Sequence, residues 1–154
     1  MGLQHQNDPD LIRGLLSDPG VWVVVGLSNN RARTAYRISR WMHVELGTPI
    51  IPVHPSAETV HGCQGYASID DIPDQDIKVV DCFVNSQHVG AVVDDVIRNK
   101  DRLQIDAVWL QLGVVDEDAA ARAEAAGLSV VMDTCPKIEF PRIQPGDGAN
   151  AVTD

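Results

Sequence analysis

Five short apolar runs recur along the chain: Val21–Val25, Pro49–Val53, Lys78–Phe83, Ala107–Leu112 and Leu128–Met132. Each is apolar nearly throughout instead of alternating with polar residues, the pattern of strands buried on both faces. Segments with helical spacing separate most of them. Strand–helix alternation of this kind predicts a parallel sheet covered on both sides, a Rossmann-like, doubly wound α/β fold of about five mainly parallel strands with helices on both faces.

The helices announce their ends. Asp8-Pro9-Asp10 reads as an N-cap followed by proline at the first helical position, with Leu11, Ile12, Leu15 and Leu16 as the apolar face. A second helix is expected from about Thr34 to Leu46, stopped by Gly47, with Ile38, Trp41, Met42 and Leu46 toward the sheet. Ser68–Pro73 reads as one capped turn. Ser86 is expected to cap a third helix carrying the stripe Val89, Val92, Val93, Val96 and Ile97. Asp116, Glu117 and Asp118 crowd the start of a fourth, as the helix dipole favours, and Gly127 ends it. Trp22, Trp41 and Trp109 are expected in the core. Asp133–Arg142 reads as a structured return and Gln144–Asp154 as a disordered tail, leaving residues 8–143 as one domain.

In doubly wound sheets ligands sit beyond the C-terminal ends of the strands. The stretch Val25-Gly26-Leu27-Ser28-Asn29-Asn30-Arg31-Ala32-Arg33-Thr34 is the strand–turn–helix corner that aims backbone N–H groups and a helix start at an anion. Between Asp18 and Glu45 there is no acidic residue, yet Arg31, Arg33, Arg37 and Arg40 fall there. A local basic patch on a chain of net charge −10 suits a small anion and argues against nucleic acid. A capped turn with no ligand is the competing reading of Gly26. The corner lacks the second and third glycines of a dinucleotide fingerprint. The second run ends Val53-His54-Pro55-Ser56, with no acid before Glu58 to hold a ribose, which disfavours NAD.

No run reaches the roughly 18 apolar residues that span a bilayer. Met1–Asp8 has neither the basic flank nor the apolar core of a secretory signal. Three scattered cysteines, Cys63, Cys82 and Cys135, suit no disulfide framework, and a reduced, cytoplasmic protein is expected. His54, His61 and Cys63 match no standard zinc spacing. Asp133 and Glu139 flank Cys135 and are expected to raise its pKa.

Several blocks occur in a specific order: Val24-Val25-Gly26-Leu27-Ser28, Ile51-Pro52-Val53-His54-Pro55, Tyr66-x-Ser68-Ile69-x-Asp71-Ile72-Pro73, Val80-Asp81-x-Phe83, Val108-Trp109-Leu110-Gln111-Leu112-Gly113, and Val131-Met132-Asp133-x-Cys135-Pro136-x-Ile138-Glu139. Over about residues 10 to 143 the chain resembles the small stand-alone, YccU-like branch of the CoA-binding domain family, whose Rossmann-like fold is related to the CoA-binding domain of succinyl-CoA synthetase. The resemblance implies CoA, or an acyl-CoA, as ligand. The candidate site, read from the strand-end turns of the expected sheet, comprises Gly26, Leu27, Ser28, Asn29, Arg31, Arg33 and Thr34 at the first corner; Val53, His54 and Pro55 at the second strand exit; Phe83, Val84 and Asn85 at the third; Leu112 and Gly113 at the fourth; and Cys135 after the fifth, where a half-buried packing role is favoured over a place near the pantetheine end. Two positions depart from the family pattern: His54 stands for an asparagine and Val84 for an arginine. No nucleophile–base pair or metal set can be assembled, so a binding module, possible as a homo-oligomer, is the leading expectation. An NAD(P)-linked or acyl-CoA ligase-like enzyme or subunit and an interaction protein with a degenerate site are the alternatives.

Overall fold

A computed structural model describes residues 4–143. Five parallel strands, β1 (Trp22–Val25), β2 (Ile50–Val53), β3 (Val79–Cys82), β4 (Ala107–Leu110) and β5 (Ser129–Met132), lie in the order β2-β1-β3-β4-β5. The order reverses between β1 and β3. Every strand residue is buried except Ser129, which is partly covered, as continuous apolar runs require.

Side chains alternate across the sheet and feed two cores. On one face Val23, Val25, Ile51, Val80, Val108, Leu110 and Val130 meet α3 (Val89–Asn99) and α4 (Glu117–Ala125). On the other Trp22, Val24, Val79, Trp109 and Val131 meet α1 (Pro9–Ser17), α2 (Thr34–Arg40) and α5 (Pro136–Ile143). The doubly wound architecture expected of the chain is the one observed. The three tryptophans are buried, Trp22 against Trp109 at 5.6 Å between ring centres.

Asp8 caps α1 by accepting from the Asp10 N–H, and Pro9 opens the helix. Asp116 caps α4 by accepting from the Ala119 N–H. Two expectations need correction. Past Arg40, α2 widens into a π turn, Trp41–Glu45, where the Leu46 N–H reaches back five residues to the Trp41 carbonyl. The extra residue rotates the helix end, so Leu46 faces solvent while Ala35 and Ser39 join Trp41 and Met42 against the sheet. Ser86 does not cap α3: Asn85 accepts from the His88 N–H, and the Ser86 hydroxyl instead bridges the Gly113 carbonyl and the Val115 N–H. The tail from Gln144 lies outside the described residues. Among these, no helix is long and apolar enough to cross a membrane.

Candidate functional site

Two clefts open at the C-terminal edge of the sheet, one on each face, where the strand order reverses. The first, of about 600 Å³, lies on the α3 side between the exits of β1, β2 and β3. Gly26, Ser28, Arg33, Val53, His54, Pro55, Phe83, Val84 and Asn85 line it, together with Ser68, His88 and Asp95. The second, of about 630 Å³, lies on the α2–α5 side and is more apolar. Gly26, Arg33, Phe83 and Val84 form the wall between the two, and Thr34, Leu112 and Cys135 line the second with Ile38, Gln111, Val114, Lys137 and Ile138. Another cleft, of about 520 Å³, lies at the opposite edge and gathers none of the candidate residues.

Twelve of the sixteen residues singled out in the sequence therefore line one or both clefts. Four do not. Leu27 is fully buried in the core beside Val24. The guanidinium of Arg31 lies over the Tyr36 ring, 5.9 Å from its centre. The Gly113 N–H donates to Asp133 Oδ1 at 2.8 Å. Asn29 points at another loop: its N–H and its side-chain amide both donate to Glu58 Oε1, at 2.8 and 3.1 Å. The Asn29 N–H holds the exposed Glu58 carboxyl below the usual carboxylate range. Nothing in the sequence links positions 29 apart in two polar loops, so this contact had no signal.

The corner itself is built by backbone. Gly26 has φ +95°, and a Cβ there would sit 2.6 Å from the Phe83 carbonyl oxygen. Only glycine lets β1 leave the sheet this close to β3. The Asn30 side chain accepts from the Ala32 N–H and tightens the turn. α2 then starts without a side-chain cap from Arg33, and the Tyr36 N–H turns back to the Arg33 carbonyl at 3.2 Å. Arg33 stands at the mouth of both clefts and is exposed.

Cys135 is buried, and burial raises its thiol pKa, the direction expected of it, but the causes differ from expectation. The Asp133 carboxylate is turned to Gly113 and the Glu139 carboxylate accepts from the Thr134 hydroxyl; the charged groups that bear on Cys135 are Asp81, which raises its pKa, and Lys137, which lowers it. Asp81, in the middle of β3, was not foreseen as a site residue. It is 1% exposed, accepts from Gln111 Nε2 at 2.7 Å through Oδ1, and has no partner on Oδ2. Burial pushes its pKa up to about 8, partly offset by the Gln111 hydrogen bond. An acid inside the run Lys78-Val79-Val80-Asp81-Cys82-Phe83 was the available signal.

His54, His61 and Cys63 are not brought together as a ligand set. His54 Nδ1 pairs with the Ser56 hydroxyl at 2.8 Å, His61 with the Ser39 hydroxyl at 3.1 Å, and Cys63 with His43 at 3.4 Å. Among the described residues no group of three His, Cys, Asp or Glu is placed to hold a metal.

Paired clefts at the reversal point of a parallel sheet, meeting over a glycine corner with one arginine, lie where doubly wound α/β proteins as a class take their ligands. Comparison gives the family: residues 20–141 match the CoA binding domain, and the chain belongs to that family. It is similar to the uncharacterized protein YneT of Bacillus subtilis (strain 168), at 33% identity over 117 residues, 75% of this chain and 81% of that protein. A hypothetical protein from Pyrococcus horikoshii OT3 superposes with TM-score 0.79 at 29% identity, covering 93% of this chain and 99% of that one. The fold alone is shared with a dinucleotide-forming acetyl-coenzyme A synthetase of Ca. Korarchaeum cryptofilum, TM-score 0.66 at 23% identity, where 76% of this chain matches 26% of the larger one. Family membership supports CoA binding in general.

Proposed function

We propose that this chain is a CoA- or acyl-CoA-binding protein, that residues 8–143 are its binding unit, and that the ligand straddles the sheet edge. In this reading the diphosphate lies at the Gly26 corner against Arg33 and the start of α2, and the adenosine half occupies the α3-side cleft beside His54, Pro55 and Asn85. The single observation that carries it is the shared wall of the two clefts. Gly26, Arg33, Phe83 and Val84 line both, so one ligand long enough to fill the two must pass over the corner. Arg33 takes the part of the arginine that Val84 replaces, since it is the cation at both mouths. The site is read as one that works by binding, with His54, at the rim of the α3-side cleft, held by the Ser56 hydroxyl on its Nδ1 at 2.8 Å.

Thermal unfolding with CoA, acetyl-CoA, NAD and NADP tests this. At a hundred times its dissociation constant a true ligand adds about 2.7 kcal/mol of stability. CoA and acetyl-CoA are expected to raise the melting temperature and the nicotinamide nucleotides to leave it unchanged. A response to NADP alone would overturn the reading in favour of an oxidoreductase. Glu58 on the Asn29 N–H and Val84 at the third strand exit favour one second reading, an interaction protein with a degenerate site. Silence toward all four ligands is what it requires.

A further inference from the structure

Of the three thiols, Cys63 alone is paired with an imidazole among the described residues. Cys82 and Cys135 are buried, whereas Cys63 is partly exposed and lines neither sheet-edge cleft. Its Sγ lies 3.4 Å from His43 Nε2. The two stand 20 residues apart in the chain, so the sequence gave no sign of a nucleophile beside a base. The other acceptor near the thiol, the His61 carbonyl, is farther, at 3.8 Å.

Backbone holds both members of the pair. Cys63 closes a two-residue turn: Val60 and Cys63 exchange backbone hydrogen bonds at 2.9 and 2.8 Å, across His61 at φ +52° and Gly62 at φ +79°. His43 lies in the π turn Trp41–Glu45. The Thr48 N–H donates to the Met42 carbonyl at 3.0 Å and folds the chain back, and the Thr48 carbonyl meets His43 Nδ1 at 2.8 Å. A carbonyl only accepts, so this bond puts a proton on Nδ1 and leaves the lone pair of the neutral ring on Nε2, facing the thiol. Nucleophile, base and orienting acceptor follow one another, the order of groups that activates a cysteine.

The titratable neighbours leave that order intact. His61, from the turn, pairs with the Tyr36 carbonyl at 3.2 Å and feels the charges of His43 and of Arg40 in α2; burial lowers its pKa, so it is neutral at pH 7. Burial raises the pKa of the Cys63 thiol, which therefore rests protonated. A protonated thiol is a poor nucleophile unless its proton has somewhere to go.

We propose that Cys63 and His43 form a second reactive site, apart from the sheet-edge clefts, at which small disulfides modify the thiol with His43 as its base. His43 Nε2 takes the proton as Cys63 Sγ attacks one sulfur of the disulfide. A new S–S bond forms to Cys63 and the old one breaks. Cys63 is oxidised to a mixed disulfide, and the departing half of the reagent is reduced; it takes the proton from the imidazolium and leaves as a thiol. None of this depends on which ligand the sheet edge takes.

Reaction of the full chain with bis(2-hydroxyethyl) disulfide, a neutral probe without a nucleotide, tests the site. Peptide mapping by mass spectrometry gives the rate at each cysteine between about pH 6 and pH 8.5. Cys63 is expected to react first, at a rate that rises to about pH 7 and then levels off as the imidazole becomes neutral. A thiolate acting without a base would instead rise about tenfold per pH unit across the whole range. His43→Gln is expected to slow Cys63 about tenfold at pH 7 and to restore that steep rise. Reaction at Cys63 no faster than at Cys135 overturns the proposal, as does a steep profile in the unaltered chain. An unchanged rate and profile in His43→Gln also overturns it. Should that variant fail to fold, the profile of the unaltered chain decides alone.

Discussion

The two clefts share a wall and differ in almost everything else. The α3-side cleft is rimmed by loops and short polar side chains, Ser28, Asn30, His54, Ser68 and Asn85, that can turn to suit a ligand. The α2–α5-side cleft adds helix residues of α2 and α5, Thr34, Ala35, Ile38, Lys137 and Ile138, to the strand-exit loops, and its polar floor is tied down: Gln111 by Asp81, and the approach to Cys135 by the Trp109 indole donating to the Thr134 carbonyl at 2.8 Å. One cleft is the more polar, the other the more apolar. The difference teaches that a sheet edge can recognise charge on one face and shape on the other, with one glycine marking the boundary.

The boundary is where the comparison breaks most severely. Gly26→Val combines a positive φ with a side chain driven against the Phe83 carbonyl, and is expected to cost about 3 kcal/mol of stability. Denaturant unfolding measures this. Loss of ligand in that variant reports a damaged fold, not a filled anion seat. Arg33→Ala leaves both clefts standing and removes the cation between them. Calorimetry is expected to show a loss in CoA affinity of about tenfold, or about 1.4 kcal/mol, and a shallower dependence on salt. An unchanged salt dependence would place the phosphates elsewhere.

Acidity separates the two sides next. Asp81 has its pKa raised by burial from an ordinary carboxyl value to about 8, so between about pH 4 and pH 8 the folded state holds a proton that the unfolded state has released. Stability from this group is therefore full below about pH 4 and declines as pH rises toward 8. Asp81→Asn is expected to flatten that decline in thermal melts across the window. A parallel decline in the variant would assign it to other groups. The smallest effect belongs to the Glu58 loop beside the corner. Glu58→Gln removes a negative charge beside the corner and weakens its hold on Asn29. Amide exchange at Asn29 is expected to quicken, and CoA affinity to rise about twofold.

Fold was far more legible than site. The five strands, the cap Asp8, the acidic start of the fourth helix and the buried tryptophans were readable because local chemistry and tertiary burial agree at those residues. The π turn was not: nothing in Trp41-Met-His-Val-Glu45 encodes an extra residue per turn, which arises when Trp41 and Met42 are both drawn to the sheet. Ser86 misled for a related reason. A serine before an apolar helix looks like a cap, but the loop after β4 passes close enough to claim its hydroxyl. Strand-exit residues such as Gly26, His54 and Val84 could be placed from topology alone. Asp81 with Gln111, and Glu58 with Asn29, could not, because each pair joins segments about 30 residues apart that only the finished sheet brings together.

Trp109 has no solvent exposure, lies in register beside Asp81 in β3, packs on Trp22, and ends in a hydrogen bond next to Cys135. An indole so placed is an optical gauge sewn into the protein. A proton gained or lost one strand away, or a chain of atoms settling against the Thr134–Cys135 segment, alters the local field on a chromophore that water never reaches. Emission wavelength and near-ultraviolet dichroism can thus follow the α2–α5-side cleft without any label.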